Sequence, residues 1–294
     1  ASADIFARRD DVFITALPLF HAFGLTSSLF IPLFNMAPLH LLGRFSPKAV
    51  MAALNAGATV LAGVPAMYNI LASAFPKGAR FPGMRTWISG GEAISTLTLA
   101  TMMERFGIDI RQGYGLTEAS PIVTWNMPGR PNRYGSIGVP MPYNQVRIVH
   151  DCRDCPPGQT GEILVKGVNV IPGYFRHPDA TAAHIIDGWL HTGDTGYCDV
   201  DGYLYITGRI KNMIIRRGFN VYPREVEALM LNHPSIENVR ISGHSSLNSD
   251  NSFTESLAAE ITIKKDRKLN LDEIRAWCRE NISSYKIPDT FELQ

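Results

Sequence analysis

The sequence predicts an α/β protein with a large α/β part, a small β-rich part and a compact α+β unit at its C-terminal end. Short apolar runs alternate with helical patterns in residues 1–132, and strand-like segments separated by glycine turns fill residues 133–208. After "GRIKN" a new helix and strand pattern begins. We therefore place the domain boundary at Lys211, between a domain of residues 1–210 and a domain of residues 211–294.

In the first part, helix signals stand on both sides of a predicted strand. "SPKAVMAALNAG" has Ser46 as an N-cap, Pro47 at the first helical position and Gly57 beyond the end. "AISTLTLATMMERFG" ends in the same way at Gly107. Between these helices, "MRTWISGG" predicts a strand that leads into a glycine turn. This strand–turn–helix order is typical of an α/β layer.

The later parts predict smaller units. "NQVRIVH", "GEILVKG" and "GYLYITG" indicate short strands of a β-rich subdomain. "YPREVEALMLNHP" predicts a helix that opens at Pro223, and "SLAAEITIKK" predicts a strand. "LDEIRAWCRENI" predicts a helix that carries Ile274, Trp277, Cys278 and Ile282 along one face. We interpret that face as part of the core.

Composition and charge argue against several classes of protein. Lysine and arginine total 28 against 27 acidic residues, so we expect no bulk attraction to nucleic acid. Four cysteines are too few for a disulfide framework in a chain of this size, which favours reduced thiols and a cytoplasmic location. Cys152 and Cys155 form a single CxxC without a second pair nearby, and we interpret them as thiols in a turn.

The most apolar stretch is "LPLFHAFGLTSSLFIPLFNMAPLHLLG". Because it contains histidines, an asparagine and prolines, we predict a buried core segment and no membrane span. No basic region followed by an apolar run opens the chain, so we expect no signal peptide. The pattern leaves peripheral membrane association open.

Four stretches contain residues that could bind a ligand or take part in catalysis. In chain order they are "LPLFHAFG", "SGGE" followed by "QGYGLTEAS", "WLHTGD", and "GRIKNMIIRRGFNVYPREVE". Glycines beside an aromatic ring, a hydroxyl and a carboxylate suit a flat base, a phosphate oxygen and a hard cation. Together the stretches resemble the adenylate-forming superfamily, in particular AMP-forming acyl-CoA synthetases. The resemblance extends from about Asp10 to Ile287.

The resemblance implies an incomplete large N-terminal domain followed by a small C-terminal lid domain that is incomplete at its end. It implies an enzyme that activates a carboxylic acid with ATP and Mg²⁺ as an acyl-AMP, and then transfers the acyl group to coenzyme A. The implied partners are therefore a small-molecule acid, ATP and coenzyme A. Amino-acid-activating relatives carry an aspartate in the stretch that corresponds to Phe23–Leu42, where this chain has no acidic residue. An apolar acid is favoured, which places the enzyme in fatty acid metabolism.

The resemblance assigns the adenine, phosphate and metal contacts to two loops. The adenine-side residues are Gly91, Glu92, Ala93, Gln112, Gly113 and Tyr114. Of these, Tyr114 would stack on the base. Thr117 would contact a phosphate, and Glu118 would hold Mg²⁺, a cation that prefers carboxylate oxygen. We count both as catalytic residues, together with the hinge residue Lys211.

The resemblance assigns the ribose and coenzyme A contacts to residues farther along the chain. Asp194 in "WLHTGD" and Arg209 in "GRIKN" would contact the ribose hydroxyls. Gly218 would let the pantetheine arm of coenzyme A pass. Arg216 and Arg217 could grip the anionic end of coenzyme A, or they could form a solvated basic rim.

On the acyl side, the resemblance points to His21 and Gly115 as substrate residues. His21 would border the acyl pocket as a gate, although a lone histidine among apolar residues is also typical of a core position. Lys286 in "YKIP" is expected to be a solvated strand residue and not the adenylation lysine of the family.

Two family features have no match in the sequence: the phosphate loop ending in lysine, and the "GK" pair with the adenylation lysine. We therefore expect a fragment cut at both ends that adenylates poorly alone. Two alternatives stay open. The first is a ligase that acts on an aryl acid or delivers to a carrier protein. The second is a non-catalytic module that binds a nucleotide or an acyl group.

Overall fold

The computed structural model describes residues 7–216, 219–247 and 253–293. Helices packed on mixed sheets confirm the predicted α/β class. Contacts divide the chain into two units. The first consists of Ala1–Thr192 and Tyr197–Ile206, and the second of Gly193–Gly196 and Thr207–Gln294. The domain boundary at Lys211 stays a prediction.

A seven-stranded sheet forms the centre of the first unit. Its strands are β1 (Phe13–Thr15), β2 (Leu39–Leu41), β3 (Val60–Gly63), β4 (Thr86–Ser89), β5 (Ile110–Gly115), β6 (Ile122–Trp125) and β7 (Val139–Pro140). The spatial order is β2-β1-β3-β4-β5-β6-β7. Pairings from β2 to β5 are parallel, whereas β6 and β7 are antiparallel to their neighbours. The parallel part has the doubly wound order in which ligands bind beyond the carboxyl ends of the strands.

Helices cover both faces of this sheet. They are α1 (Ala22–Leu25), a π-helical stretch (Thr26–Phe30), α2 (Ile31–Phe34), α3 (Pro47–Asn55), α4 (Pro65–Ala74) and α5 (Thr96–Phe106). The helices α3, α4 and α5 share one apolar cluster with Leu61 and Trp87 of the sheet. On the opposite face, Phe13 and Val60 pack against Ile31 of α2. Strand residues therefore alternate between the two layers.

The helix boundaries follow the capping chemistry that the sequence predicts. Ser46 accepts a hydrogen bond from the Ala49 amide, and Pro47 occupies the first position of α3. Ser95 caps α5 in the same manner. Gly107 ends α5 in the left-handed region, with φ of 69°. The predictions for these two helices and for the strand between them are confirmed.

A second sheet in the first unit contains the predicted β-rich strands. It consists of β8 (Asn144–His150), β9 (Arg153–Asp154), β10 (Gly161–Gly167), β11 (Ile185–Ile186), β12 (Trp189–Cys198) and β13 (Leu204–Arg209), with α6 (Pro178–His184) between β10 and β11. The order is β11-β12-β10-β8-β9, and β13 pairs with β12. Strands β12 and β13 contribute residues to both contact units. The sheet's apolar cluster includes Ala119 and Val123 from the segment around β6, so the two sheets share a core.

The second unit is an α+β unit, as predicted. Its further elements are β14 (Ile214–Arg216), β15 (Phe219–Val221), α7 (Pro223–Met230), β16 (Ile236–Leu247), β17 (Phe253–Ile263), α8 (Leu271–Asn281) and β18 (Thr290–Leu293). Strand β17 pairs antiparallel with β16 and parallel with β18. A capping box between Asn270 and Glu273 begins α8. Ile274, Cys278 and Ile282 are buried and Trp277 packs half-buried against the same cluster, which confirms the predicted core face.

The apolar stretch after β1 differs from the predicted buried core segment. Phe20, Phe34 and Met36 are 93%, 83% and 69% exposed, whereas Ser27 and Ser28 are buried. The Ser27 hydroxyl donates to the Phe23 carbonyl, as helical serines often do, and this bond lets the helix bury a polar residue. Apolar composition therefore failed to identify the buried face. Along the described residues, no helix is long and apolar enough to cross a membrane.

A buried carboxylate ties the start of β1 to the starts of β3 and β4. The Asp11 side chain is 4% exposed. It accepts hydrogen bonds from Arg85, from the Arg8 amide at 2.6 Å and from the Thr59 hydroxyl at 2.9 Å. Burial alone would raise the pKa of Asp11, but these hydrogen bonds outweigh it and hold the pKa below its usual value.

We expect Asp11→Asn to destabilise the chain by about 2–3 kcal/mol at neutral pH, because it leaves Arg85 without its charged partner. Since the folded-state pKa is lowered, this stabilisation is present above the unfolded-state pKa and is lost as the pH falls through the folded-state value. Urea unfolding of both proteins between pH 7 and pH 3 measures the difference. The exposed Asp154, which pairs with Arg147, provides the control Asp154→Asn with a much smaller loss. An equal effect of the two substitutions would contradict the prediction.

A close backbone approach fixes the reversal between β5 and β6. A Cβ atom added to Gly115 would lie 1.9 Å from the Pro121 carbonyl oxygen and 2.7 Å from its carbonyl carbon. Backbone atoms at that distance cannot move aside without shifting the strand. Glycine at position 115 is therefore required by the packing of the chain on itself.

We expect Gly115→Ala to cost about 1–3 kcal/mol or more of unfolding free energy, because the added methyl group displaces β6. Chemical denaturation gives the value. Gly43→Ala is the matched control, since a Cβ atom added to Gly43 would meet no other atom within 4 Å. That control should lie within about 0.5 kcal/mol of the unchanged chain. Similar stability of the two variants would show that the chain relieves the overlap at Gly115 without loss.

Candidate functional site

The candidate site lies where two neighbouring parallel strands end. Ser89 of β4 and Gln112 of β5 are directly paired. Beyond these residues β4 continues into Gly90 and Gly91, and β5 continues toward Glu118. Carboxyl ends of adjacent parallel strands meet at one edge of the sheet. The structure thus brings together the two loops that the sequence analysis singled out.

The first loop turns sharply after β4. Gly91 has φ of 85°, a left-handed conformation that favours glycine. Gly90 is buried, whereas Gly91, Glu92 and Ala93 are exposed. The loop therefore presents its predicted adenine-side residues to solvent and anchors itself through Gly90.

On the second loop, the predicted adenine residues differ in burial. The Gln112 side chain is buried, and its backbone carbonyl accepts hydrogen bonds from the Asn126 amide at 3.0 Å and the Asn126 side chain at 3.1 Å. Tyr114 is half-buried and packs against the apolar cluster that β10 shares with Ala119 and Val123. A Cβ atom on Gly113 would lie 3.1 Å from the Thr124 carbonyl oxygen, so packing against β6 favours glycine there. Adenine contact by these residues stays a prediction.

A tight turn presents the predicted phosphate and metal residues. The Leu116 amide donates to the Pro121 carbonyl at 2.9 Å, and Thr117–Ala119 form a single 3₁₀ turn between them. Ser120 closes the turn in the left-handed region, with φ of 53°. In this turn the Thr117 side chain is exposed and that of Glu118 is half-buried.

The loop after β10 holds the Glu118 turn from outside. The Tyr174 hydroxyl donates to Glu118 Oε1 at 3.1 Å, and the Ile171 amide donates to the Glu118 carbonyl at 2.9 Å. Burial, and then the hydrogen bond to Glu118, raise the pKa of Tyr174, so its phenol is a donor at neutral pH. Sequence reasoning missed Tyr174, because one sequence contains no signal that links it to a residue so far away along the chain.

His21 lies at the start of α1, near the first loop. Its Nδ1 accepts a hydrogen bond from the Phe23 amide at 3.2 Å, so the ring caps the helix. The Phe23 ring packs on Gly90, where a Cβ atom would lie 3.1 Å from Cζ. His21 is exposed, which excludes the core position and leaves the gate role as a prediction.

The two predicted ribose residues pair with each other in the second unit. Arg209 Nε lies 2.6 Å from Asp194 Oδ1. The Asp194 side chain is 6% exposed, whereas that of Arg209 is 63% exposed. Because a carboxylate has about four acceptor sites, Asp194 can accept further hydrogen bonds while it holds Arg209.

The predicted hinge and coenzyme A residues follow β13 in the sequence. The backbone of Lys211 forms part of a short 3₁₀ helix, Ile210–Asn212. Arg217 and Gly218 lie outside the described residues. The suggestion that Arg216 grips coenzyme A or lines a basic rim is wrong. Its buried guanidinium donates to the Tyr285 and Ile287 carbonyls and pairs with Asp289, and those contacts hold the end of the second unit in place.

Lys286 also differs from its predicted state. It ends the 3₁₀ turn Ser284–Lys286 and is 14% exposed, so it is not a solvated strand residue. Its ammonium lies 2.5 Å from Glu225 Oε1. Burial would lower the pKa of Lys286, but the Glu225 carboxylate outweighs it and raises the pKa. Lys286 therefore joins α7 to the turn before β18.

The oxygen donors of the turn suit one kind of metal site. Among the described residues, no group of three or more His, Cys, Asp or Glu side chains is placed to cage a metal ion. The Glu118 carboxylate and Thr117 hydroxyl are hard donors on a partly open turn. Mg²⁺ usually takes one or two carboxylates and completes its shell with substrate phosphates and water. The residues fit Mg²⁺ that arrives with a nucleotide.

Comparison with known proteins agrees with this chemistry. A family model described as AMP-binding enzyme matches residues 1–175. A long-chain-fatty-acid–CoA ligase of Escherichia coli O6:H1 is 35% identical over 289 residues, which cover 97% of this chain and 50% of the ligase. A feruloyl-CoA synthase of an Amycolatopsis species is 34% identical over 289 residues and is matched over 58% of its length. The chain thus spans about half the length of the curated relatives it matches.

A solved structure shows the same fold. The O-succinylbenzoate coenzyme A synthetase MenE of Bacillus subtilis, in complex with ATP and magnesium ion, superimposes with a TM-score of 0.87 at 30% identity. The match covers 100% of this chain and 60% of the synthetase. Together with the loops at the ends of β4 and β5, these matches show that the chain belongs to the AMP-binding enzyme family.

Proposed function

We propose that this chain forms the nucleotide site of an acyl-CoA ligase, which uses ATP to join a carboxylic acid to coenzyme A. One observation carries the proposal. A tight turn at the carboxyl end of β5 presents Thr117 and Glu118 beside the glycine loop that ends β4. That arrangement supplies hard oxygen donors and close backbone approach, which a metal-bound triphosphate requires. The ligase names of the relatives and the ATP and magnesium complex of the Bacillus synthetase support it.

The proposed reaction has two steps. A carboxylate oxygen of the acid attacks the α-phosphorus of ATP, and pyrophosphate leaves with the electron pair of the broken bond. The thiol of coenzyme A then attacks the acyl carbon and gives up its proton to water, and AMP leaves with the electron pair of the broken bond to the acyl carbon. In this scheme Tyr114 stacks on adenine, Thr117 donates to a phosphate oxygen, and Asp194 and Arg209 bind the ribose hydroxyls. Glu118 holds Mg²⁺, which would offset phosphate charge.

An apolar, fatty acid is the substrate that we favour, with an aryl acid as the second candidate. The absence of acidic side chains in Phe23–Leu42 supports an uncharged acyl group. Escherichia coli carries a long-chain-fatty-acid ligase at 35% identity. The feruloyl-CoA synthase at 34% identity is the specific reason to keep the aryl class.

Non-hydrolysable acyl-adenylate mimics should stabilise this chain against heat, because a ligand that binds the folded state shifts unfolding by mass action. When the mimic is at a hundredfold excess over its dissociation constant, we expect the free energy of unfolding to rise by about 2.7 kcal/mol. A thermal melt with short, medium, long and aromatic mimics measures the effect. A shift that grows with acyl length indicates a fatty acid, and one confined to aromatic mimics indicates an aryl acid.

The variant Glu118→Gln separates a ligase from a simple binding module. Glutamine keeps the shape of the side chain but removes the negative charge that attracts Mg²⁺. We expect ATP to stabilise the unchanged chain more in Mg²⁺ than in EDTA, and the variant to lose that difference. If neither ATP nor any mimic shifts a cooperative melt, the proposed site is wrong. Binding of ATP that is indifferent to Mg²⁺ in both proteins would favour the non-catalytic module.

A further inference from the structure

Three residues of the loop that follows β10 contact the Glu118 turn and the start of β6. The Asn169 side-chain amide donates to the Ala119 carbonyl at 2.6 Å and to the Ile122 carbonyl at 3.1 Å. The Ile171 amide donates to the Glu118 carbonyl at 2.9 Å. The first two residues thus fix the backbone of the turn. The third residue is Tyr174, whose hydroxyl donates to Glu118 Oε1 at 3.1 Å and so contacts the carboxylate itself.

Tyr174 is in turn fixed by its own surroundings. Its backbone amide donates to the Thr181 hydroxyl of α6 at 2.9 Å. Thr181 also closes the first turn of α6, since its amide and hydroxyl both donate to the His177 carbonyl at 3.0 Å. The Tyr174 ring meets the His184 ring edge to face, with centroids 6.0 Å apart. The phenol is therefore held by a helix and is not a freely rotating surface group.

We propose that Tyr174 is a positioning residue that orients the Glu118 carboxylate toward the Mg²⁺ of bound ATP. This inference rests on the proposed function of Glu118. A glutamate has three rotatable side-chain bonds, and ordering it costs rotamer freedom when it binds a metal. A hydrogen bond to Oε1 restricts those bonds beforehand and leaves Oε2 as the oxygen for the cation. Hydrogen-bond partners of ligating carboxylates typically change metal affinity 10- to 100-fold when they are removed.

The chain offers a matched control for this contact. The Tyr205 hydroxyl donates to Asp199 Oδ2 at 3.3 Å, which is also a phenol-to-carboxylate bond. Tyr205 stacks on Tyr197 with ring centroids 4.8 Å apart and belongs to β13, not to the turn. Tyr205→Phe therefore removes the same chemical group and leaves the Glu118 turn unchanged.

The test measures ATP binding by calorimetry, in EDTA and across a Mg²⁺ titration, on the protein as its gene encodes it. The variants are Tyr174→Phe, Tyr205→Phe, Glu118→Gln and the double variant Tyr174→Phe with Glu118→Gln. Mg²⁺ should strengthen ATP binding by the unchanged protein. We expect Tyr174→Phe to raise the Mg²⁺ concentration that gives half of this increase in ATP affinity about tenfold. In EDTA, the ATP affinity of Tyr174→Phe should stay within about twofold of that of the unchanged protein, because the contacts to the nucleotide itself are intact. Tyr205→Phe should match the unchanged protein.

Each remaining result decides the question. If Tyr174 acts through Glu118, the double variant binds ATP as Glu118→Gln does in both EDTA and Mg²⁺, so a further loss of ATP affinity in the double variant overturns the inference. A Tyr174→Phe response equal to that of Tyr205→Phe overturns it as well, while the effect of Glu118→Gln leaves the proposed function standing. If Glu118→Gln keeps the full Mg²⁺ response, the proposed role of Glu118 fails and the role of Tyr174 fails with it. If Tyr174→Phe loses ATP affinity equally in EDTA and in Mg²⁺, Tyr174 has only a structural role and the inference is overturned.

Discussion

The approach of Gly115 to the Pro121 carbonyl is the contact on which the candidate site depends. It lets the chain reverse direction within a few residues of the end of β5, and β6 returns antiparallel to it. Thr117 and Glu118 lie at the tip of that reversal. A longer loop would move both side chains away from the strand ends, where the β4 loop lies. The chemistry of the site is therefore set by a backbone contact that contains no reactive group.

The same turn is held from a second direction by the segment after β10. Asn169 and Ile171 bond its backbone, and Tyr174 bonds its carboxylate. A turn at a sheet edge has few intrinsic constraints, since its residues lie outside the ladder of strand hydrogen bonds. Contacts from a distant part of the chain supply the missing constraints. The turn is therefore fixed by hydrogen bonds from the segment after β10 as well as by its own.

Charged residues in the second unit illustrate how far sequence patterns can mislead. Arg216 and Lys286 are basic residues close to predicted functional stretches, and a basic side chain is usually solvated. In the structure Arg216 is buried and Lys286 is half-buried, and each meets a carboxylate, Asp289 and Glu225 respectively. The stabilising geometry needs partners that are far away in sequence. No local pattern around either residue contains that information.

By itself, the sequence determined the α/β class, the helices that begin at Ser46 and Ser95, and the core face of α8. It did so because caps and apolar periodicity act over a few neighbouring residues. It also identified the loops that contain Gly91 and Glu118, since their residue types are chemically distinctive. Only the tertiary structure decided that Phe20 and Phe34 are exposed, that Asp194 pairs with Arg209, and that Tyr174 reaches Glu118. These outcomes depend on which segments meet in space, and strand order and packing settle that after local structure has formed.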